Sequence, residues 1–287
     1  MNVKLSVIIP TYYSWQDLKQ CVEAILVQEG ITFAYEIVIA NNAPADCKPS
    51  WLFEIPNLKV VDVGAKGSYS ARNAAVMQSS GSILCFTDSD CVPSIKWLSV
   101  LYERISNNQN VILAGAIEMF PKDKNAITAV EAYDIAVGLR QDIYAKRKGT
   151  AATANLTVLR SHFDSVSGFD PIRLSGGDTD FCKRLSSRGV YVEYVEDAVV
   201  RHPARDSLPA LTKKARRLAG GKASSKGLTL LKNSLIMVLP PIVRVYLVLS
   251  SELSFFLKLK ALGLVALLKA IQLIEFYSVI LGKPPER

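Results

Sequence analysis

The sequence is poor in the residues that build thiolate or disulfide frameworks. Its five cysteines, at positions 21, 47, 85, 91 and 182, form no CxxC pair, and only two histidines accompany them. That argues against a zinc site; nothing requires a disulfide, which fits a reducing cytosolic setting. No GxGxxG follows the first apolar run, so the dinucleotide fingerprint is missing. No basic region with a small-residue cleavage site precedes it either, and MNVKLSVIIPTYYS reads as a first strand rather than a signal peptide. No repeat or low-complexity tract interrupts the 287 residues, enough for one large domain or a domain with a substantial appendage. Acidic residues are scarce in one stretch: Arg205, Lys213, Lys214, Arg216, Arg217, Lys222 and Lys226 are opposed only by Asp206. With a formal charge of +8, such clustering suits a phosphate- or membrane-facing patch, although a solvated helix face accounts for part of it.

What is present alternates. Leu5–Ile9, Glu36–Ala40, Leu58–Val63, Ile83–Thr87 and Val111–Ala116 are short apolar runs that predict strands. Asp17–Gln28, Ala71–Ser79 and Ile95–Ile105 predict helices between them. This is an α/β pattern with a mostly parallel sheet and crossover helices, whose ligands sit beyond the carboxyl ends of the strands. After Phe120 the pattern predicts a helix over Ala126–Tyr144, a small-residue loop over Gly149–Asn155 and a strand at Leu156–Leu159. It then predicts a helix ending near Arg188 with Gly189 as its C-cap, and strands at Tyr191–Val195 and Ala198–Val200.

The run SILCFTDSDCVP drives a strand into two carboxylates, Asp88 and Asp90, one residue apart. Aspartate is disfavoured inside strands, so both are expected just past the strand end. Two hard oxygen ligands there suit a divalent cation that shares its shell with substrate phosphates. An acidic turn in which Asp90 or Ser94 caps the next helix is the alternative.

Four separated segments resemble the family 2 glycosyltransferases, nucleotide-sugar-dependent enzymes of the GT-A fold. SVIIPTYYSWQDLKQCVEAILVQ is similar to the family's first strand, nucleotide loop and helix, and GSYSARNAAVMQSSGSILCFTDSD to its ARN helix and DxD. GGDTDFCKRLSSRG is similar to its acceptor-side motif and VVRHP to the later histidine segment. The resemblance spans roughly Lys4 to Arg205. It implies a GT-A domain over 1–210, nucleotide-binding to about 116 and acceptor-binding from 117, followed by a basic, then apolar helical region over 211–287. It implies inverting transfer of a single sugar from a nucleotide-sugar donor to a polysaccharide or lipid-linked acceptor, assisted by Mn²⁺ or Mg²⁺. Asp88, Asp90 and His202 would hold the metal, with Asp88 also near the ribose, and Asp178 would be the catalytic base. Pro10, Thr11, Tyr12 and Asn41 would line the nucleotide, Arg72 would reach the diphosphate, and Asn155 would line the sugar or acceptor pocket. His162, in a helix-like segment, is expected to be structural.

Two positions depart from the family. Relatives commonly carry Glu before the catalytic Asp, where this chain has Gly177, and Asp where it has Ala40-Asn41. Asn41 can donate and accept, so uracil-like recognition survives, with guanine and thymine still open. Asp180 competes with Asp178 as base, but Lys183 and Arg184 lie at i+3 and i+4, so an ordinary helical ion pair accounts for it. Asp178, after two glycines, reads as base or N-cap. A sugar-phosphate nucleotidyltransferase would need a Gly-rich, Arg-containing loop after the first strand, which IIPTYYSW lacks. A catalytically impaired scaffold is the non-enzyme alternative, weakened by the retained Asp88, Asp90, Asp178 and His202. No QxxRW tryptophan follows Arg216-Arg217, which disfavours processive synthesis.

In the tail, Arg244, Glu252, Lys258, Lys260, Lys269 and Glu275 interrupt every apolar run, short of the about 18 residues expected of a spanning helix. Lys269, Gln272, Glu275 and Ser278 form an expected polar stripe opposite Leu264, Leu268, Ile271 and Ile274. The expectation is peripheral or monotopic attachment to the cytoplasmic membrane face, with no nucleic-acid partner; a packed subdomain or a dimer interface is the alternative.

Overall fold

The structure, a computed structural model, describes residues 4–173 and 175–286. Its first part alternates β1 (Leu5–Thr11), α1 (Trp15–Leu26), β2 (Tyr35–Asn41), β3 (Leu58–Asp62), α2 (Ser68–Met77), β4 (Ile83–Thr87), β5 (Val92–Pro93), α3 (Trp97–Asn107) and β6 (Val111–Phe120). There follow α4 (Ala129–Val137), α5 (Gln141–Lys148), β7 (Asn155–Leu159), α6 (Arg160–Ser165), α7 (Gly177–Ser186) and β8 (Tyr191–Pro203). The rest is helical: α8 (Leu208–Ala223), α9 (Gly227–Val238), α10 (Ile242–Ser250) and α11 (Phe255–Ile280). The chain divides into two compact units, one of Met1–Glu118, Arg140–Arg173 and Gly177–His202, the other of Met119–Leu139, Leu174–Gly176 and Pro203–Arg287.

The first unit is built on an eight-stranded sheet in the order β3-β2-β1-β4-β7-β6-β8-β5. The strands from β3 to β4 are parallel. Parallel pairing stops at β7, which returns antiparallel to β4 with Thr87 opposite Asn155. The expected parallel sheet is thus its β3-β2-β1-β4 half. These strands read as continuous apolar runs because helices cover both faces. One charged side chain is enclosed among them. Glu36 accepts bonds from Ser6 Oγ (2.8 Å), Ser80 Oγ (2.8 Å) and Lys59 Nζ (2.8 Å). Burial alone would raise its pKa, but these partners hold it down to about 2.

Two expected boundaries move. The single helix over Ala126–Tyr144 is two. Thr128 and Glu131 form a capping box that starts α4, and Gly138 ends it where a Cβ would run into the Asp134 carbonyl. Conversely, the two strands expected after Tyr191 are one, β8. Glu196 and Asp197 are exposed, so their carboxylates stay in water while the backbone runs on.

The second unit packs α4, α8, α10 and α11 around Tyr133, Leu211, Ala215, Val248, Val265 and Leu268. Asp134 is buried there between Arg205 Nη1 (3.0 Å) and Lys214 Nζ (3.3 Å). The polar stripe expected on α11 opposite Leu264, Leu268, Ile271 and Ile274 does not form, since its central residues share the buried face of Leu268. Gln272 and Glu275 are buried, whereas Ile274 is 69% exposed and Phe255 and Phe256 are 74% and 75% exposed. Glu275 can turn inward because Lys283, beyond the helix end, pairs with it at 2.9 Å. With 26 residues, α11 is long and apolar enough to cross a membrane, so Lys269 and Glu275 interrupt it less than expected. The α9–α10 pair qualifies only if its 52° bend is counted as one span.

Candidate active site

The site grows from the carboxyl ends of β1, β2, β3 and β4. At β1, Thr11 is buried with its Oγ1 unpartnered, and Tyr12 is 64% exposed, offering an open ring beside the partly buried Pro10. Tyr13 holds a positive φ of 57°, a costly conformation for an aromatic residue at a strand-to-helix turn. At β2, Asn41 differs from expectation. It is fully enclosed, its Nδ2 donates to Asp62 Oδ1 (2.8 Å) and its Oδ1 accepts from the Ala43 amide (3.0 Å), so both ends of the amide are engaged. The half-exposed group at this rim is Asp62, at the end of β3, whose other oxygen meets Lys48 Nζ at 2.6 Å. Sequence reading passed over Asp62 because a single acid closing an exposed strand carries no signature.

β4 delivers Thr87 and then the Asp88-Ser89-Asp90 turn. β5 pairs antiparallel with β8, Val92 opposite Arg201, and continuing that register by one residue sets His202 beside Cys91. His202 Nε2 lies 3.7 Å from Asp90 Oδ1, and the donor atoms of Asp90, Cys91 and His202 all fall within 4.8 Å of one another. Burial, with Asp88 and Asp90 adding to it, pushes the Cys91 thiol well up, so it stays a thiol. A hard cation therefore fits the carboxylate and imidazole of this set and not the sulfur. Asp88, the other carboxylate, receives Arg72 Nη2. Arg72 itself is buried, and its Nε has no partner. The guanidinium is thus enclosed and committed to Asp88, rather than being the open side chain expected from the sequence.

On the other side of the same unit, Phe86 of β4, Phe163 of α6, Phe169 and Phe181 of α7 pack with ring centroids 4.6 to 5.8 Å apart. This cluster sets the start of α7 against the end of β4. Asp178 lies in the first turn of α7, inside the helix rather than at its N-cap, with Oδ1 accepting the Thr179 amide at 2.8 Å. Burial pushes its carboxyl above the usual range and the charge of Asp88 adds to that, while the Thr179 amide and Arg72 pull it back. Asp180 is bound on both sides, by Arg173 Nη2 and Arg184 Nε, each at 2.8 Å. Arg184 also donates to the Val166 and Gly168 carbonyls, so this network braces α7.

Asn155 departs from its expected place in a pocket. It is fully buried; Nδ2 donates to the Ala116 and Ala198 carbonyls, each at 2.8 Å, and Oδ1 accepts Trp97 Nε1 at 2.9 Å. All its bonding capacity in reach goes to tying β6, β7, β8 and α3 together, and a Cβ at Gly115 would collide with it. Asn73 of the ARN segment was unassigned in the sequence and is a clamp, bonding both the carbonyl (2.7 Å) and the amide (3.0 Å) of Phe169. His162, bonded to the Gln109 carbonyl at 2.7 Å, is structural as expected.

Comparison with known proteins fits this arrangement. The sequence model described as Glycosyl transferase family 2 matches residues 6–166. Glycosyltransferase AglE of Haloferax volcanii is 31% identical over 224 residues, covering 76% of this chain and 72% of that protein. The mannosyltransferase PcManGT from Pyrobaculum calidifontis, solved in complex with GDP-Man and Mn²⁺, superposes with a TM-score of 0.65 at 16% identity, covering 98% of this chain and 88% of that one. S. aureus TarS 1-349, solved in complex with UDP-GlcNAc, gives a TM-score of 0.54 at 16% identity, over 97% of this chain and 90% of that one. At such identities the structures establish the shared GT-A fold. The chain belongs to glycosyl transferase family 2 and is a nucleotide-sugar-dependent transferase enzyme.

Proposed function

We propose that this chain transfers one sugar, with inversion, from a nucleotide sugar to a glycan or lipid-linked acceptor at the cytoplasmic face of the membrane. The observation that carries the reading is the adjacency of Asp90 and His202 at 3.7 Å, in the unit that also holds Asp178. Asp90 and His202 would hold a divalent cation, with Asp88 assisting from beside Arg72. When bound, that cation neutralises charge on the departing diphosphate. One imidazole beside a carboxylate suits Mn²⁺ better than Mg²⁺, which prefers oxygen alone. PcManGT, with its Mn²⁺ and GDP-Man, is in keeping with this.

The half-buried carboxyl of Asp178, raised by its surroundings, fits a general base. As the acceptor oxygen bonds to the anomeric carbon, its proton passes to Asp178 and the carbon–oxygen bond to the diphosphate breaks on the opposite side. Tyr12 would stack on the base of the donor. Thr11 Oγ1 is enclosed and unpartnered, and the more exposed Asp62 would take the base-facing role that Asn41 is too enclosed to fill.

The outward Leu, Ile and Phe side chains of α9, α10 and α11 support a lipid-facing second unit, with the basic residues of α8 meeting anionic headgroups. AglE, a relative of similar length, supports the glycosyltransferase reading and says nothing of the membrane. The test is a panel of UDP- and GDP-linked sugars with Mn²⁺, Mg²⁺ or EDTA, read as nucleoside diphosphate release. Release with Mn²⁺ that stops in EDTA is expected; full turnover in EDTA would remove the metal from the account.

A further inference from the structure

We propose that Tyr69 is the positioning residue for Asp178, its hydroxyl orienting the carboxylate and its ring requiring glycine at position 177. This rests on the reading of Asp178 as the base. Tyr69 lies in the first turn of α2 and is buried. Its oxygen accepts the Gly177 amide at 3.0 Å, which leaves the phenol's own hydrogen to point at Asp178 Oδ1, 3.5 Å away. Burial, and next the Asp178 charge, pushes the phenol up to about 12, so it remains a donor at any working pH.

The ring gives an independent argument. A Cβ built on Gly177 would stand 2.6 Å from Tyr69 Cε2 and 2.7 Å from Cζ, separations that no side chain tolerates. The ring cannot swing aside freely, since it packs on Phe169 with centroids 5.6 Å apart and lies 6.0 Å from the Arg72 guanidinium. A ring present for bulk alone would need the glycine, but not a carboxylate opposite its hydroxyl. The other titratable groups facing Asp178 are Arg72 of α2, Asp88 after β4 and Cys182 on its own helix. None of them contacts the Gly177 backbone in the way Tyr69 does. Position 177, where a carboxylate is expected from the sequence resemblance, is thereby supplied with a phenol from another helix. Tyr69 and Gly177 form one packed, hydrogen-bonded pair.

The experiment compares full-length wild type, Tyr69→Phe and Asp178→Asn by nucleoside diphosphate release from the sugar-nucleotide panel with Mn²⁺, over pH, alongside melting temperatures. Tyr69→Phe keeps the ring and removes only the hydroxyl. Donor KM should stay near wild type, and melting should drop by a few degrees as the Gly177 amide loses its acceptor. The kcat should fall several-fold, and the acid limb should move up by a few tenths of a pH unit, as for a carboxylate that loses a long hydrogen bond of 3.5 Å. An unmoved limb and unchanged kcat, with Asp178→Asn inactive, would overturn the role of Tyr69 and leave the base in place. Wild-type turnover by Asp178→Asn would instead overturn the base itself. A second cycle reads the packing without relying on Tyr69→Phe folding. Gly177→Ala should lower the melting temperature with Tyr69 present and leave it unchanged in a Tyr69→Ala background. Equal losses in both backgrounds would overturn the pairing.

Discussion

In the first unit Phe86, Phe163, Phe169 and Phe181 close over one another, while Asp62, Asp88 and Asp90 stand at strand ends, partly open to water. In the second, Phe255, Phe256 and Ile274 face outward, and Gln272 and Glu275 are turned in. The first arrangement is that of a protein folded against water. The second is the one expected where the surroundings are apolar and ionisable side chains turn to the protein interior. One chain thus encloses Phe86 and Phe181 in one unit and leaves Phe255 and Phe256 outward in the other, and the hydropathy of a residue alone does not tell which.

The comparison can be broken first in the catalytic unit. Asp90→Asn should remove Mn²⁺-dependent turnover, a loss on the order of a thousandfold, without lowering the melting temperature. A variant that remains active but melts early would make Asp90 a capping residue. The second unit should respond in stability instead. Asp134→Ala leaves the partly exposed Arg205 and Lys214 without their carboxylate and should cost about 1–3 kcal/mol by denaturant melts. Burial already pulls Lys214 down to about 8, so losing its main charge partner should turn it neutral near physiological pH. The sign follows from the depressed Asp134 carboxyl, held low against burial by Lys214 and Arg205. Its contribution is present above the unfolded pKa and disappears as pH falls through the folded one, so wild type and variant should converge in acid. The smallest effect on folding belongs to the outward face. Phe255→Asp with Phe256→Asp should leave melting nearly unchanged yet abolish flotation with anionic liposomes. Loss of melting with flotation intact would make that face a packing surface.

Much of the first unit was legible because its chemistry sits at strand ends, where apolar runs stop at particular residues. Asp88 and Asp90 follow β4, His202 lies one residue from the end of β8, and antiparallel pairing of β5 with β8 does the rest. Asn41 and Asn155 misled for the same reason as each other. An amide reads as a ligand-facing group, but its bonding depends on neighbours distant in sequence: Asp62 for one, Ala116, Ala198 and Trp97 for the other. Tyr69 and Gly177 are 108 residues apart, and no local pattern announces that they touch. In the tail, the stripe expected on α11 fails because Gln272 and Glu275 share the buried face of Leu268, and periodicity could not say that a glutamate would be enclosed. That depended on Lys283 reaching back to Glu275.

The central claim is that Asp178 takes the acceptor's proton while Asp180 only braces its helix, and paired kinetics and melting of their asparagine variants test it most directly. Asp178→Asn should lower kcat by about a hundredfold or more, with donor KM nearly unchanged and a melting temperature at or above wild type at neutral pH, since a half-buried carboxylate disfavoured by its surroundings is removed. Asp180→Asn, which loosens Arg173 and Arg184, should lower stability by about 1 kcal/mol and kcat only modestly. An inactive but stable Asp180→Asn beside an active Asp178→Asn would contradict the account and move the base two residues along the helix.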